Sequence, residues 1–225
     1  MRYRRVPAGS AGAVEICVTD RHDGDFRVDG SAEELAERRA HVFDGEWTWL
    51  RQVHGAQVIG VDHVSQGAGE EADGAVTELL GAVLCVQTAD CVPVVLIGDA
   101  VLGVVHAGWR GVVAGVLDTA LEAMRSRRPG PIHAVLGPCI RPAAYAFGDE
   151  ELARVEEAVG GPARAQTSEG DLALDMALAV TRALQRAEVA SIDDLGLDTA
   201  DDRWFSHRVR RDSGRQVTAA RLVAT

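Results

Sequence analysis

A cysteine and a histidine at the ends of two apolar segments are the residues of this sequence best suited to chemistry. Cys91 directly precedes VPVVLI, and His106 directly follows VLGVV. The Gly98-Asp99 pair between these segments predicts a β-hairpin. An even loop places Cys91 opposite His106, and we favour four residues because Pro93 then needs no ladder partner. A thiolate and an imidazole on one strand pair can bind a metal ion or transfer a proton.

His54 is the best third candidate for a metal site. It follows a strand predicted over residues 47–53 and precedes Gly55, so it also lies at a strand end. Three protein ligands and an open position are typical of catalytic zinc. Cys139, which follows Gly-Pro, would be the fourth ligand of a closed structural site. Ordinary burial of these side chains also remains open from spacing alone.

Charged residues lie close to the predicted ligands. Asp73 and Asp90 each stand beside a turn or a strand end. There a carboxylate can exchange a proton, orient a ligating histidine or cap the turn. Arg51 and Arg110 flank two of the ligands, where they could hold an anion or form surface ion pairs.

Composition restricts the class of protein. The chain has 225 residues, of which 47% are hydrophobic, and this predicts one domain over residues 1–225. A net charge of −11 argues against nucleic-acid and anionic-membrane partners. Four scattered cysteines without a CxxC pair, and no apolar targeting or spanning segment, indicate the cytoplasm. The absence of lysine excludes Schiff-base and Walker A chemistry, so every fixed positive side-chain charge is arginine, whose planar fork suits phosphate or carboxylate.

The hydrophobic pattern interleaves strands and helices and predicts an α+β domain with a mixed sheet. We predict further strands over residues 14–19, 57–61, 82–86 and 132–136, and helices over residues 31–43, 112–125, 150–159 and 174–188. A hairpin of residues 203–206 with residues 215–222 would close the domain.

Five motifs occur in order along the chain: RQVHG at 51–55, ADG at 72–74, TADC at 88–91, HAGWRG at 106–111 and GPCI at 137–140. Together they resemble the bacterial family known as multicopper polyphenol oxidoreductase or laccase, also called purine nucleoside phosphorylase and peptidoglycan editing factor. The resemblance implies an α+β fold, a mixed β-sandwich flanked by helices on both sides. It also implies that His54, Cys91 and His106 are metal ligands.

The same resemblance implies a zinc-dependent enzyme that phosphorolyses adenosine, inosine and methylthioadenosine and deaminates adenosine. Its partners would be a nucleoside and phosphate, and copper is the alternative to Zn²⁺. Water activated at the metal would attack C6 of adenine. Arg51 would bind substrate, Arg110 would act in catalysis, either could hold phosphate, and Asp73 or Asp90 would be the general acid.

Three other interpretations follow from the residues. Laccase chemistry needs several copper ions, but the chain has seven histidines and no HxH pair. Cys91 could be a nucleophile with His106 as its base, in accord with peptidoglycan editing. A non-catalytic domain with structural zinc is the third. Residues 20–24 also run almost directly into the first predicted helix, which shortens a loop that would face the substrate in the family.

Overall fold

The computed structural model describes residues 1–224, so that only Thr225 of the predicted domain lies outside the described residues. The strands, β1 to β13 in chain order, are Arg2–Pro7, Ala13–Val18, Trp47–Thr48, Val58–Val61, Gly74–Thr77, Val83–Thr88, Val92–Gly98, Val101–Ala107, His133–Leu136, Arg164–Gln166, Leu172–Leu174, Ser191–Asp194 and Gln216–Val223. The helices, α1 to α6, are Ala32–Val42, Trp109–Ala114, Val116–Arg127, Asp149–Val159, Met176–Arg186 and His207–Arg210.

Two sheets form a β-sandwich. One has the order β1-β2-β13-β6-β3 and the other β12-β9-β7-β8-β5-β4, and both contain parallel and antiparallel pairs. Alternate side chains of β2, β6 and β13 pack against those of β5, β7 and β8 between the sheets. The interior of the sandwich is therefore built from every second residue of these strands.

The outer faces of the sandwich are covered by helices. The six-stranded sheet packs against α2, α3, α4 and α5. The five-stranded sheet contacts Leu35 of α1 together with Phe26, Phe43 and Trp47. The predicted α+β class, a mixed β-sandwich flanked by helices on both sides, is confirmed. In the described part of the chain, no helix is both long and apolar enough to span a membrane.

The register of the β7-β8 hairpin differs from the prediction. His106 pairs with Pro93, and Gly98 pairs with Val101, so the loop is Asp99-Ala100. Cys91 precedes the strand and does not lie opposite His106. The predicted register is wrong by two residues, and each side chain still lies on the predicted face of the sheet because side chains alternate with a period of two. Pro93 is tolerated because the N–H that it lacks would point to the same side as its carbonyl, toward Gly137 beyond the end of β9, so no hydrogen bond within the β7-β9 ladder is lost.

Three other elements differ from expectation. The strand predicted over residues 47–53 is limited to Trp47–Thr48, and the helix predicted over residues 112–125 is split at Gly115, whose φ is 89°. The C-terminal hairpin is wrong, because residues 203–206 form no strand and β13 pairs with β2 and β6. An apolar strand such as β13 is stabilised more by pairing with two strands inside the sandwich than by pairing with one neighbouring segment in a hairpin.

We expect Ala100→Gly to stabilise the protein. Ala100 has a φ of 58° in the two-residue loop, and a side chain is disfavoured in this region by about 1–2 kcal/mol. After the entropy cost of glycine in the unfolded chain, the free energy of unfolding should rise by up to about 1 kcal/mol in urea denaturation. Ala200→Gly, at a turn position without positive φ, should lower it. A loss of stability in Ala100→Gly would contradict the turn geometry.

Candidate metal centre and its cleft

His54, Cys91 and His106 converge at one end of the sandwich. Their candidate ligand atoms all lie within 4.8 Å of one another, and Sγ of Cys91 is 3.9 Å from Nε2 of His54. The two imidazole rings are 4.8 Å apart, centroid to centroid, and nearly perpendicular. His106 is buried, Cys91 is half-buried and His54 is exposed. The structure thus brings together the three residues predicted as ligands.

Asp73 contacts two of these three residues and orients them. Extension of the β5-β8 register places it beside His106, whose backbone N–H donates to the Asp73 carbonyl at 2.7 Å. Oδ1 of Asp73 is 2.8 Å from Nδ1 of His106. This contact leaves Nε2 of His106 as the atom available to a metal. Asp73 is fully buried, so its geometry fits a residue that positions a ligand.

The same carboxylate holds the loop that carries His54. It accepts hydrogen bonds from the backbone N–H groups of Val53, His54 and Gly55 at 3.3, 3.0 and 2.7 Å. His54 has a φ of 58°, a conformation that histidine adopts more readily than most residues. Side-chain hydrogen bonds therefore replace the predicted strand pairing in this segment.

Gln52 anchors the start of this loop to the end of β6. Its side-chain amide accepts from the backbone N–H of Gln87 and donates to the carbonyl of the same residue, both at 2.8 Å. Sequence analysis missed this role, because a glutamine beside a predicted strand gives no signal of its backbone partner.

Gly108 makes room for the ligands. A Cβ at this position would lie 2.8 Å from Cδ2 of His54 and 3.2 Å from Sγ of Cys91. The backbone of Gly108 is extended, with φ of −79°, so the need for glycine is steric and not conformational. The GWRG turn therefore leaves space where any other side chain would push the ligands apart.

Cys91 and His106 shift each other's pKa values in opposite directions. Burial alone would raise the pKa of the Cys91 thiol, but the charge and hydrogen bond of His106, with a contribution from His54, lower it. Burial opposes protonation of His106, yet the negative charges of Cys91 and Asp73 raise its pKa. Burial would likewise raise the pKa of Asp73, which its bonds to His106 and the loop lower instead. The cysteine thus has thiolate character.

The donor set fits a metal ion. Tetrahedral zinc binds thiolate at about 2.3 Å and imidazole at about 2.0–2.1 Å, so its ligand atoms lie about 3.3–3.6 Å apart, and a group that spans up to 4.8 Å must contract on binding. The 3.9 Å separation of Sγ of Cys91 and Nε2 of His54 is within a few tenths of an ångström of that geometry. Two histidines and a cysteine also suit copper. Cys139 is not part of the group: it is buried in the helix-covered core, and burial raises the pKa of its thiol to about 12.

Asp90 fastens the bend before Cys91 to the C-terminal segment. Oδ1 accepts from the hydroxyls of Thr199 and Ser206 at 2.8 and 2.6 Å, and Oδ2 accepts from the backbone N–H of Arg208 at 2.7 Å. The backbone of Asp90 has a φ of 103°, which is strained for a residue with a side chain. The hydrogen bonds hold this conformation, and with it the position of Cys91.

The group of His54, Cys91 and His106 opens into a cleft of about 840 Å³. Trp109 and Tyr145 form aromatic surfaces, with the guanidinium of Arg110 over Trp109 at 4.4 Å and that of Arg208 over Tyr145 at 4.6 Å. Arg51 also lines the cleft. The predicted roles of Asp73, Asp90, Arg51 and Arg110 stay predictions.

Several cleft residues were missed by sequence analysis. Trp109 lies in the HAGWRG motif but had no predicted role, and Tyr145 gave no signal. The C-terminal arginines form a visible basic run, HRVRR at residues 207–211, which could have been found. Residues 27–29 of the shortened loop also line the cleft.

Comparison with known proteins agrees with the motifs. The family described as multi-copper polyphenol oxidoreductase laccase matches residues 14–223. The chain belongs to this family. A laccase-family relative, the purine nucleoside phosphorylase of Xylella fastidiosa (strain Temecula1 / ATCC 700964), is 41% identical over 184 residues, 76% of this chain and 70% of that protein. A second purine nucleoside phosphorylase, from Mycobacterium bovis, is 34% identical over 227 residues, 96% of this chain and 90% of that protein.

Solved structures share the fold of this laccase-family chain. A Neisseria meningitidis protein matches with a TM-score of 0.82 at 23% identity and covers 100% of both chains. YlmD from Geobacillus stearothermophilus matches with a TM-score of 0.81 at 22% identity, covering 99% of this chain and 97% of that chain. At these identities the likeness concerns the fold alone.

We expect Gly108→Ala to impair metal binding in this laccase-family protein. The added Cβ would contact His54 and Cys91 at distances that force one of them to move. A competition titration with a zinc-binding dye should show at least about a tenfold loss of affinity. Gly30→Ala is the matched control, because its Cβ would make only an ordinary 3.5 Å contact and its φ is not positive. Equal affinities for both variants would refute the steric argument.

Asp73→Asn should weaken zinc binding by about 10- to 100-fold, because the carboxylate that orients His106 is lost. The variant should also be less stable, since three backbone N–H groups lose a charged acceptor. Zinc affinity and urea denaturation measure the two effects. Asp62→Asn, at an exposed aspartate paired with Arg127, is the control and should retain wild-type affinity. Wild-type affinity in Asp73→Asn would exclude the orienting role.

Proposed function

We propose that the protein is a zinc-dependent purine nucleoside phosphorylase that acts on adenosine, inosine and methylthioadenosine and also deaminates adenosine. One observation carries the proposal: a single cleft contains the His-Cys-His group, two aromatic surfaces and arginines without carboxylate partners. The names of the Xylella and Mycobacterium relatives support it.

The cleft offers the contacts that phosphorolysis requires. A purine can stack on the half-buried Trp109, which has the Arg110 guanidinium over its ring, while Tyr145 is buried and packs under Arg208. Arg51 and Arg110 make no ion pair with the described residues and can hold phosphate bidentately. A phosphate oxygen then forms a bond to C1′ of the ribose while the C1′–N9 bond breaks. The purine leaves with the electron pair and takes up a proton.

His54, Cys91 and His106 would hold the zinc ion. When bound, zinc supplies Lewis-acid chemistry beside the purine, which deamination at C6 requires. Cys91 enters the site with thiolate character and Nε2 of His106 is free for coordination, so both are prepared as ligands. Copper remains the alternative ion, because the donor set suits it as well.

We assign positioning roles to the two aspartates. Asp73 is fully buried and accepts hydrogen bonds at both oxygens from His106 and the His54 loop. Asp90 lines the cleft, but both of its oxygens bind groups of the C-terminal segment. Each carboxylate accepts hydrogen bonds at both oxygens, so it can position its neighbours and does not need to act as a proton donor. The acid that protonates the purine is left unassigned.

The proposed partners are a small nucleoside and phosphate, in the cytoplasm. All four cysteines are free thiols, which suits a reducing compartment. The net charge of −11 disfavours nucleic acid as a partner.

A hydrolase with Cys91 as nucleophile is the second candidate. The order Asp73, His106, Cys91 resembles that of a catalytic triad, with the carboxylate 2.8 Å from Nδ1 of the histidine. The lowered pKa of Cys91 is the specific observation in its favour. Hydrolysis of an amide would agree with a role in peptidoglycan editing.

The first experiment measures metal content and phosphate-dependent release of adenine from adenosine. We expect one zinc ion per chain, loss of activity after chelation, and loss of both metal and activity in Cys91→Ala. Arg110→Gln should raise the KM for phosphate by about tenfold, because a charged hydrogen bond is removed. Arg154→Gln is the control, since Arg154 is exposed on α4 outside the cleft.

Two results would contradict the proposal. Adenosine turnover that persists after complete removal of metal would exclude zinc dependence. Absence of turnover, together with labelling of metal-free Cys91 by thiol-directed hydrolase probes, would favour the hydrolase.

A further inference from the structure

The charge of the cleft is opposite to that of the protein. The chain carries a net charge of −11, yet six arginines and three aspartates line the cleft. The arginines are Arg27, Arg51, Arg110, Arg208, Arg211 and Arg215, and the acids are Asp29, Asp90 and Asp212. Positive charge is therefore concentrated at one site of an acidic molecule.

Most of this positive charge is uncompensated. Among the six arginines, only Arg27 forms ion pairs, with Asp25 at 3.1 Å and Asp29 at 3.8 Å, within residues 1–224. Arg208 and Arg215 donate to backbone carbonyls, which bear no full charge. The aspartate at position 212 is already paired with Arg21 and Arg210, which lie outside the lining. Five guanidinium groups thus face the cleft without a carboxylate partner.

These five arginines belong to two groups on different parts of the chain. Arg51 and Arg110 line the cleft and are three and four residues from His54 and His106 in the sequence. Arg208, Arg211 and Arg215 lie on the C-terminal segment. Hydrogen bonds of 2.9 Å join the backbone of Arg215 to the backbone of Phe26 and the carboxylate of Asp25, so the C-terminal segment is held against the loop that precedes α1. Five bidentate guanidinium groups offer more donors than a single inorganic phosphate can accept.

We propose that the cleft binds purine nucleotides, and that the C-terminal arginines receive a phosphate carried by the substrate itself. The inference rests on the proposed function for the base and for the first anion site. It extends that function by a second anion site, because a neutral nucleoside leaves Arg211 and Arg215 without a ligand. Arginine is suited to this task by its planar, bidentate donors.

The test compares the binding of AMP, adenosine and inorganic phosphate to the full-length protein in phosphate-free buffer by calorimetry. AMP should bind at least about tenfold more tightly than adenosine at low salt, and the difference should shrink as salt rises. Arg211→Gln should weaken AMP about fivefold more than adenosine. This residue is exposed and Gln has the same backbone preference at its φ of 57°, so the fold should persist; Arg215→Gln provides a second variant.

Arg154→Gln is the matched control, because it removes one exposed arginine without a partner from α4 and changes the net charge equally. Equal binding of AMP and adenosine to the wild type would overturn the inference. So would an equal loss in Arg154→Gln and Arg211→Gln, or complete displacement of AMP by equimolar phosphate. Phosphorolysis of adenosine is scored separately: its absence with AMP binding intact would refute the proposed function alone.

Discussion

The carboxylate of Asp73 is the interaction on which the candidate site depends. It joins two parts of the chain that the sheet alone does not connect, the His54 loop and the end of β8. Burial of a charge is costly unless every lone pair finds a donor. Asp73 meets this condition with three backbone N–H groups and one imidazole. The position of the His54 loop is therefore tightly restricted, because a shift of the loop would leave the buried carboxylate without its hydrogen-bond donors.

The opposite side of the site is held by a different constraint. Asp90 keeps a strained φ of 103° because its side chain binds the C-terminal segment, and its carbonyl accepts from Ile140 of the GPCI motif. Cys91 follows immediately. The position of the thiol is thus coupled to residues more than 100 positions away along the chain, and the same segment carries the arginines of the cleft wall.

The sequence predicts the layers of the fold and the convergence of His54, Cys91 and His106, but not the contacts that support them. Periodicity is a property of one element, so residues 150–159 and 174–188 are recognisable as helices. The hairpin register is not, because a two-residue shift leaves the same side chains on the same face. Likewise, the bond between Gln52 and Gln87 and the space left by Gly108 arise only when distant segments meet. The motifs place His54, Cys91 and His106 in one group that could hold a metal ion.

The contrast between an acidic surface and a basic cleft has a functional consequence. Net negative charge disfavours non-specific binding of polyanions, while arginines at the walls of a concave site focus their field on a small anion. The group of His54, Cys91 and His106 lies in the same cleft and contributes a thiolate. Without a metal ion, the thiolate of Cys91 is paired with the positive charge of His106, so a bound divalent cation would add positive charge beside the arginines. Metal binding and anion binding should therefore reinforce each other, although no arginine is a ligand.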